Sequence, residues 1–364
     1  MYTIIGYLGY LALIASVFIY IRAKKEKLEK LKLKQREKTD PKVVVLGGGT
    51  GQSIFLRGLK KHTKNITAVV TVADDGGGSG VLREDLGMLP PGDIRNCLLA
   101  LANIEPTMKE IMQYRFEEGG LKGQSFGNLF LAAMNGVYGN FELAVYKLSE
   151  IFAITGKVLP VTLTDVKLVA KLKNGETIKG ESIIPDYCKE NNTLIDEMTL
   201  EPKDVKPLDE VLNSIKDADI IVIGPGSLYT SIMTNILVDG VSEAIKNSKA
   251  PKVYVSNVMT QPGESDFYNV IDHIDAINKH SKEDLVDFVL SNNQNVSDEA
   301  FEKYKKDGAN LVMLDNNQKE VLKNRKIKYI EDDFIEVKNN YIRHNANKIS
   351  KVIVDLARSH KSSK

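Results

Sequence analysis

Two adjacent carboxylates, Asp74 and Asp75, stand directly before the glycine run Gly76–Gly80 in the stretch ADDGGGSGVLREDLGMLPPGDIRN, residues 73–96. Such a pair can hold Mg²⁺, act as a base, or, as the acid of a dinucleotide site, take ribose hydroxyls. An Asx turn before glycines uses the same residues without a ligand, and the carboxylates alone do not decide among these. Gly76, Gly77 and Ser79 read as a flexible anion cradle, with Arg83 and Arg95 the nearest guanidinium forks for phosphate or carboxylate. Asp93, after Pro90-Pro91-Gly92, reads as a helix N-cap.

Upstream, residues 43–53 read VVVLGGGTGQS. An apolar run ends in Gly47, Gly48, Gly49, Thr50 and Gly51, and a helical pattern follows. Glycines let backbone N–H groups approach an anion, and the helix N-terminus adds positive potential. The stretch is neither G-x-x-x-x-G-K-[ST], because no lysine follows, nor G-x-G-x-x-G, because Gln52 and Ser53 occupy the wrong places. The same logic recurs in IVIGPGSLYTSI, residues 221–232, where Gly224, Gly226 and Ser227 end a second buried strand. Two cradles on one sheet suggest a ligand with two ends, such as a nucleotide diphosphate joined to another group. In SFGNLFLAAM, Asn128 either faces a ligand or caps a helix. Asn257, Thr260 and Gln261 are weaker candidates after a further strand, and His344 reads as a cap or surface residue. No His pair stands at metal spacing and no Ser-His-Asp order is defensible, so neither a metal centre nor a hydrolytic engine is expected.

These loops need a sheet to hold them. Short apolar runs alternate with helical patterns from Lys42 onward: VVVL, TAVVTVA, VLPVTL, KLVAKL, TIKGESI, DIIVIG, KVYVSNV, DLVDFVL, NLVML and KIKYI read as strands. Helices are expected over 52–62, 93–103, 106–117, 127–136, 140–153 and roughly 344–358. The alternation predicts an α/β fold with a mostly parallel sheet covered on both faces. The region 158–200, with Asn174-Gly175 at a turn, reads as an antiparallel hairpin excursion. In such a sheet ligands bind outside the carboxyl ends of the strands, where the glycine loops fall.

The chain of 364 residues is long enough for a full core, and its net charge is +1. That charge is unevenly spread: residues 22–38 carry +6 and residues 39–364 carry −5. A mildly acidic body argues against a general nucleic-acid binder. Two cysteines, Cys97 and Cys188, make no disulfide framework. Residues 3–21, TIIGYLGYLALIASVFIYI, are uncharged and apolar, and at about 1.5 Å per residue they nearly span a hydrocarbon core of about 30 Å. The basic run that follows places the body on the cytoplasmic side. A buried helix or an upstream start is the alternative. The expected division is a transmembrane anchor over 1–22, a basic linker over 23–40, one domain over 41–358 and a tail over 359–364.

GGGTG, ADDGGGSGVLREDLGMLPPGDIRNCL, FGNLFLAAM, IGPGSLYTSI and VSNVMTQPGES, in this order, resemble the YvcK family of bacterial gluconeogenesis factors. That family belongs with the CofD-like 2-phospho-L-lactate transferases, and the resemblance covers about residues 42–358. It implies a Rossmann-like three-layer α/β fold that binds UDP-N-acetylglucosamine. It also implies a cytoplasmic protein needed for cell shape and wall synthesis on gluconeogenic carbon sources, with cell-wall synthesis proteins as partners and a homodimer open. By motif position the family's sugar-nucleotide contacts look like Tyr304 in FEKYKKDGAN and Arg343 in YIRHNANK. The family usually carries DDGGSSG, whereas Gly78 here removes one hydroxyl. The apolar stretch 3–21 lies outside the resemblance. Two functions follow: a UDP-sugar-sensing regulatory protein, or a CofD-type transferase moving a phospho-carboxylic acid to an acceptor hydroxyl with Mg²⁺ on Asp74 or Asp75.

Overall fold

A computed structural model describes residues 40–296, 298–338 and 341–362, together with Arg22 and Lys24. The expected anchor, residues 3–21, lies outside the described residues. Among the described residues no helix is long and apolar enough to cross a membrane.

The body is built on a seven-stranded sheet in which every pairing is parallel. Its strands are β1 (Val43–Gly47), β2 (Ile66–Val70), β3 (Lys157–Pro160), then β7 (Ile220–Ile223), β8 (Lys252–Val255), β9 (Phe288–Asn292) and β10 (Lys328–Asp332). Every residue of β1 and β7 is buried, as expected for strands covered on both faces. The spatial order is β10-β9-β8-β7-β1-β2-β3. The chain therefore winds outward one way from β1 and the other way from β7, and the order reverses between these two neighbours. That point is where a doubly wound sheet leaves a crevice at its carboxyl edge.

Helices cover the sheet: α1 (Gly49–Leu59), α2 (Gly77–Leu86), α3 (Gly92–Leu101), α4 (Pro106–Gln113), α5 (Phe126–Tyr138), α6 (Phe141–Ile151), α7 (Ile184–Glu190), α8 (Asp209–Lys216), α9 (Val241–Asn247), α10 (Val270–Ser281), α11 (Asp298–Lys306), α12 (Asn316–Asn324) and α13 (Ala346–Ser362). A π-helical turn, Leu228–Met233, follows β7. Close approach of α1 to the start of α13 depends on Gly58. A Cβ there would come within 2.5 Å of the Ala346 carbonyl oxygen.

Three expectations change. VLPVTL does not begin the hairpin, because β3 joins the parallel sheet beside β2. The antiparallel excursion is instead a three-stranded sheet, β5-β4-β6, of β4 (Lys167–Leu172), β5 (Thr177–Lys179) and β6 (Ile195–Glu201). Strand β5 stops early because Gly180 turns at φ +120° and Asp75 captures the next two N–H groups. NLVML is not a strand: Leu311 makes one isolated bridge to Met259, while Val312 and Leu314 are buried against the core from an irregular segment. A second small hairpin, β11 (Ile335–Lys338) and β12 (Tyr341–His344), was not expected; its short, half-polar strands carry too little alternation to read.

Candidate functional site

The two glycine loops face each other across the switch point. An added Cβ on Gly51 would lie 3.3 Å from the backbone of Gly226 and of Pro225, so the loops touch without intervening side chains. Gly49 sits at φ +64° and already opens α1, so the last part of the first loop is the helix N-terminus itself. Its N–H groups and aligned peptide dipoles favour an anion there. After β7 the chain turns at Gly224, φ +83°, and through a cis Gly224–Pro225 bond.

Gly48, Gly49, Thr50, Gly51, Gly226 and Ser227 line a cavity of about 320 Å³. Its far wall comes from the C-terminal part of the chain: Tyr304 on α11 and Ile342, Arg343 and His344 on β12. The Tyr304 hydroxyl accepts the Ile342 N–H at 2.9 Å, tying α11 to the hairpin. His344 is tied by Nε2 to the Ser256 carbonyl at 2.9 Å, and burial holds its imidazole below the usual range. It is thus a structural tie, neither the helix cap nor the surface residue that were its expected roles; Asn345 accepts the Lys348 N–H at the helix start instead. Asn257 also lines the cavity, donating from Nδ2 to the Gly226 carbonyl at 3.0 Å.

Residues behind the loops fix their shape. Gln52 is fully buried and donates to the carbonyls of both Val45 and Val69, bridging β1 and β2. Asn235 donates to the Gly47 carbonyl at 2.8 Å. Glu264, 2% exposed, accepts from the Tyr229 N–H, the Thr230 hydroxyl and the Gln261 amide, and so holds the turn after the second loop. The sequence reading missed Glu264; its only signal was its place in VSNVMTQPGES.

The other predicted candidates gather beside this cavity and do not line it. Asp74 accepts from the Gly76 N–H at 3.0 Å, the Asx turn that was one of its readings. Asp75 accepts from the N–H groups of Glu181 at 3.0 Å and Ser182 at 2.9 Å, so both its oxygens are engaged. The run Gly77–Gly80 is no flexible loop but the first turn of α2, with Gly76 as its N-cap. Ser79 is buried. Arg83 is paired with Asp165 at 2.6 Å and with the Val166 carbonyl, and Arg95 donates to Ser125 and Asn96; neither fork stands free for a ligand. Helix α5 is capped by Ser125, which accepts the Asn128 N–H, and not by Asn128. The Asn128 side chain is buried with its Oδ1 unpartnered.

Asp93 does not cap α3. The helix starts at Gly92, and the Asp93 carboxylate instead accepts from the Gly49 N–H. Burial, then the nearby Asp74, pushes its pKa up to about 7. Glu181 is raised to about 8 by burial and by Asp74, Glu264, Asp93 and Asp75, and Glu264 to about 7 by burial. Three carboxyls with raised pKa values thus stand near the glycine loops. Among the described residues no set of three or more His, Cys, Asp or Glu side chains is disposed to hold a metal ion.

An open, parallel, doubly wound α/β sheet with paired glycine loops at its switch point is the class that this fold and site define. The sequence pattern of the family described as 2-phospho-L-lactate transferase CofD matches residues 43–335, and the chain belongs to that family. A relative from Thermoanaerobacterium thermosulfurigenes is 59% identical over 316 residues, 87% of this chain and 97% of its own length. A gluconeogenesis factor of Bacillus subtilis is 44% identical over 317 residues, 87% of this chain and 98% of its own. The crystal structure of a UPF0052 family protein from Bacillus halodurans superposes with a TM-score of 0.82 at 46% identity, covering 85% of this chain and 98% of that one.

Proposed function

We propose that the protein binds UDP-N-acetylglucosamine across the two glycine loops and acts as a regulator of cell-wall precursor supply and cell shape during gluconeogenic growth. One observation carries the reading. The Gly47–Gly51 and Gly224–Ser227 loops, Tyr304 and Arg343 come from distant parts of the chain and converge on one cavity. Loop N–H groups and the α1 N-terminus suit a diphosphate, and the Arg343 guanidinium suits a second phosphate oxygen. Tyr304 offers an aromatic face and Ser227 a hydroxyl to uridine or sugar. No nucleophile with an adjacent base lines the cavity among the described residues, which favours binding and signalling to wall-synthesis proteins over turnover. Calorimetry with the full chain, with and without Mg²⁺, tests it. Saturable UDP-N-acetylglucosamine binding, weakened at least about tenfold in Arg343→Ala by the loss of a charged hydrogen bond, is expected. No binding to the wild type sinks the reading.

The second reading is a CofD-type transferase, favoured by the carboxylates beside the loops. Asp93, with its pKa pushed up to about 7, and Asp74 could exchange a proton or share Mg²⁺ with a transferred phosphate. Turnover of a nucleotide diphosphate-linked donor that Asp74→Asn abolishes, with the Gly76 turn still capped by the asparagine oxygen, would replace the regulatory reading with this one.

A further inference from the structure

Past Arg343 the cavity at the switch point adjoins a second concavity of about 550 Å³ on the flank of α1; the two share Thr50, Ile54 and Arg343. Arg57 on α1 and Lys61 in the turn just past its end face it together with Lys338 and Arg343 from the β11–β12 hairpin. Glu336 is the one carboxylate among its lining residues. Glu336 stands opposite Arg343 in the hairpin register, yet the two form no ion pair. Among the described residues, none of the four cations has a carboxylate partner within ion-pair distance, and the Arg57 Nε is buried without a hydrogen-bond acceptor.

Lys303 and Arg343 both lie over the Tyr341 ring, 3.5 and 4.9 Å from its centroid. Lys303, and then Arg343, hold the Tyr341 hydroxyl below the usual phenol range. Several lysines elsewhere on this surface have an acidic neighbour, for example Lys157 with Glu210, Lys179 with Glu201 and Lys279 with Asp196. Residues 39–364 carry a net charge of −5. A concave cluster of unpaired cations in an acidic body focuses a local positive field and concentrates anions. Four like charges facing one hollow repel one another, and an anion in the hollow relieves that repulsion.

We propose that this basin is a second anion site, taking a small phosphate-rich molecule of the pyrophosphate or polyphosphate class beside the ligand of the switch-point cavity. Guanidinium forks at Arg57 and Arg343 suit phosphate oxygens bidentately, and Lys61 and Lys338 supply point charges at the rim. Arg343 lines both hollows, so two anions compete for one guanidinium and repel each other across it. Occupancy of the basin therefore weakens binding in the cavity, and by linkage the nucleotide sugar weakens binding in the basin by the same factor. This coupling rests on the reading of the cavity as a nucleotide-sugar site; the basin itself does not.

Calorimetry on the full chain with pyrophosphate as probe tests the proposal, alone and with UDP-N-acetylglucosamine present. The variant is Lys61→Gln/Lys338→Gln, whose side chains are exposed and outside the switch-point cavity; Arg57→Gln is the second variant. Expected results are saturable pyrophosphate binding, a loss of about tenfold or more in each variant, and unchanged UDP-N-acetylglucosamine affinity in the absence of pyrophosphate. Absence of saturable pyrophosphate binding overturns the proposal. So does pyrophosphate binding that is equal in wild type and both variants, because the probe then sits in the glycine loops. Pyrophosphate binding that is variant-sensitive, in a protein that ignores UDP-N-acetylglucosamine, upholds the basin and removes the nucleotide-sugar reading instead.

Discussion

Replacing Asp93 with asparagine isolates the charge that the fold places under the first glycine loop. The side chain keeps its shape and an oxygen to accept the Gly49 N–H, but it can no longer ionise. In the folded protein the Asp93 pKa is pushed up to about 7 from an ordinary 3.8, first by burial and then by Asp74. The sign follows from linkage. A carboxyl whose folded pKa is raised binds its proton more tightly in the native state, so it costs nothing at low pH. Stability is lost as pH rises from the unfolded pKa near 3.8 through the folded value near 7. Between pH 5 and pH 8 the full shift would cost about 2.6 kcal/mol, and about half of that remains once water at a half-buried site screens the charge. Urea unfolding at pH 5 and pH 8 reads the effect. The wild type should lose about 1 to 2 kcal/mol more than Asp93→Asn over this interval, and the variant should be the more stable of the two at pH 8. A dianionic ligand should also bind Asp93→Asn more tightly at pH 8, because the carboxylate beside Gly48 and Gly49 no longer opposes it. Identical pH dependence in the two proteins would refute the burial argument, since it would mean that Asp93 titrates as if in water.

Glu264→Ala should destabilise the protein by about 2 to 4 kcal/mol, because the Tyr229 N–H and the Thr230 hydroxyl lose a buried acceptor; Glu264→Gln should restore most of it, and chemical denaturation separates the two. Gly58→Ala should cost about 1 to 3 kcal/mol by driving a methyl group against the Ala346 carbonyl where α1 and α13 cross; an unchanged melting temperature would mean that the helices yield freely. Fractionation of cells expressing residues 1–364 beside residues 40–364 tests the apolar segment. Recovery of only the longer form with membranes is expected, and equal recovery of both in the soluble fraction would remove the anchor.

Much of the fold was legible because it is local. VVVL, DIIVIG and KVYV are short apolar runs bounded by turn residues, and each is a central strand. NLVML has the same composition and is no strand, because composition reports burial and not pairing. The glycine loops were legible as places where the backbone lies open, since backbone access is a property of the residue type. The β11–β12 hairpin was not, and with it went any reading of Lys338 or Tyr341 as neighbours of Arg57.

The sequence by itself determined that strands alternate with helices and that two glycine-rich loops end two buried strands. Residue type, spacing and glycine's conformational range are enough for that. Only the tertiary structure decided that β1 and β7, separated by 177 positions in register, lie side by side and so set the loops face to face at the switch point. It also decided that Arg83 and Arg95 are consumed by internal partners while Arg57, Lys61, Lys338 and Arg343 are left without carboxylates. Asp75 became a clamp on the Glu181 and Ser182 backbone, and Asp93 a raised carboxyl beneath Gly49. Which charges are paired and which are buried depends on distances through space between remote segments, and no local pattern in the chain encodes those distances.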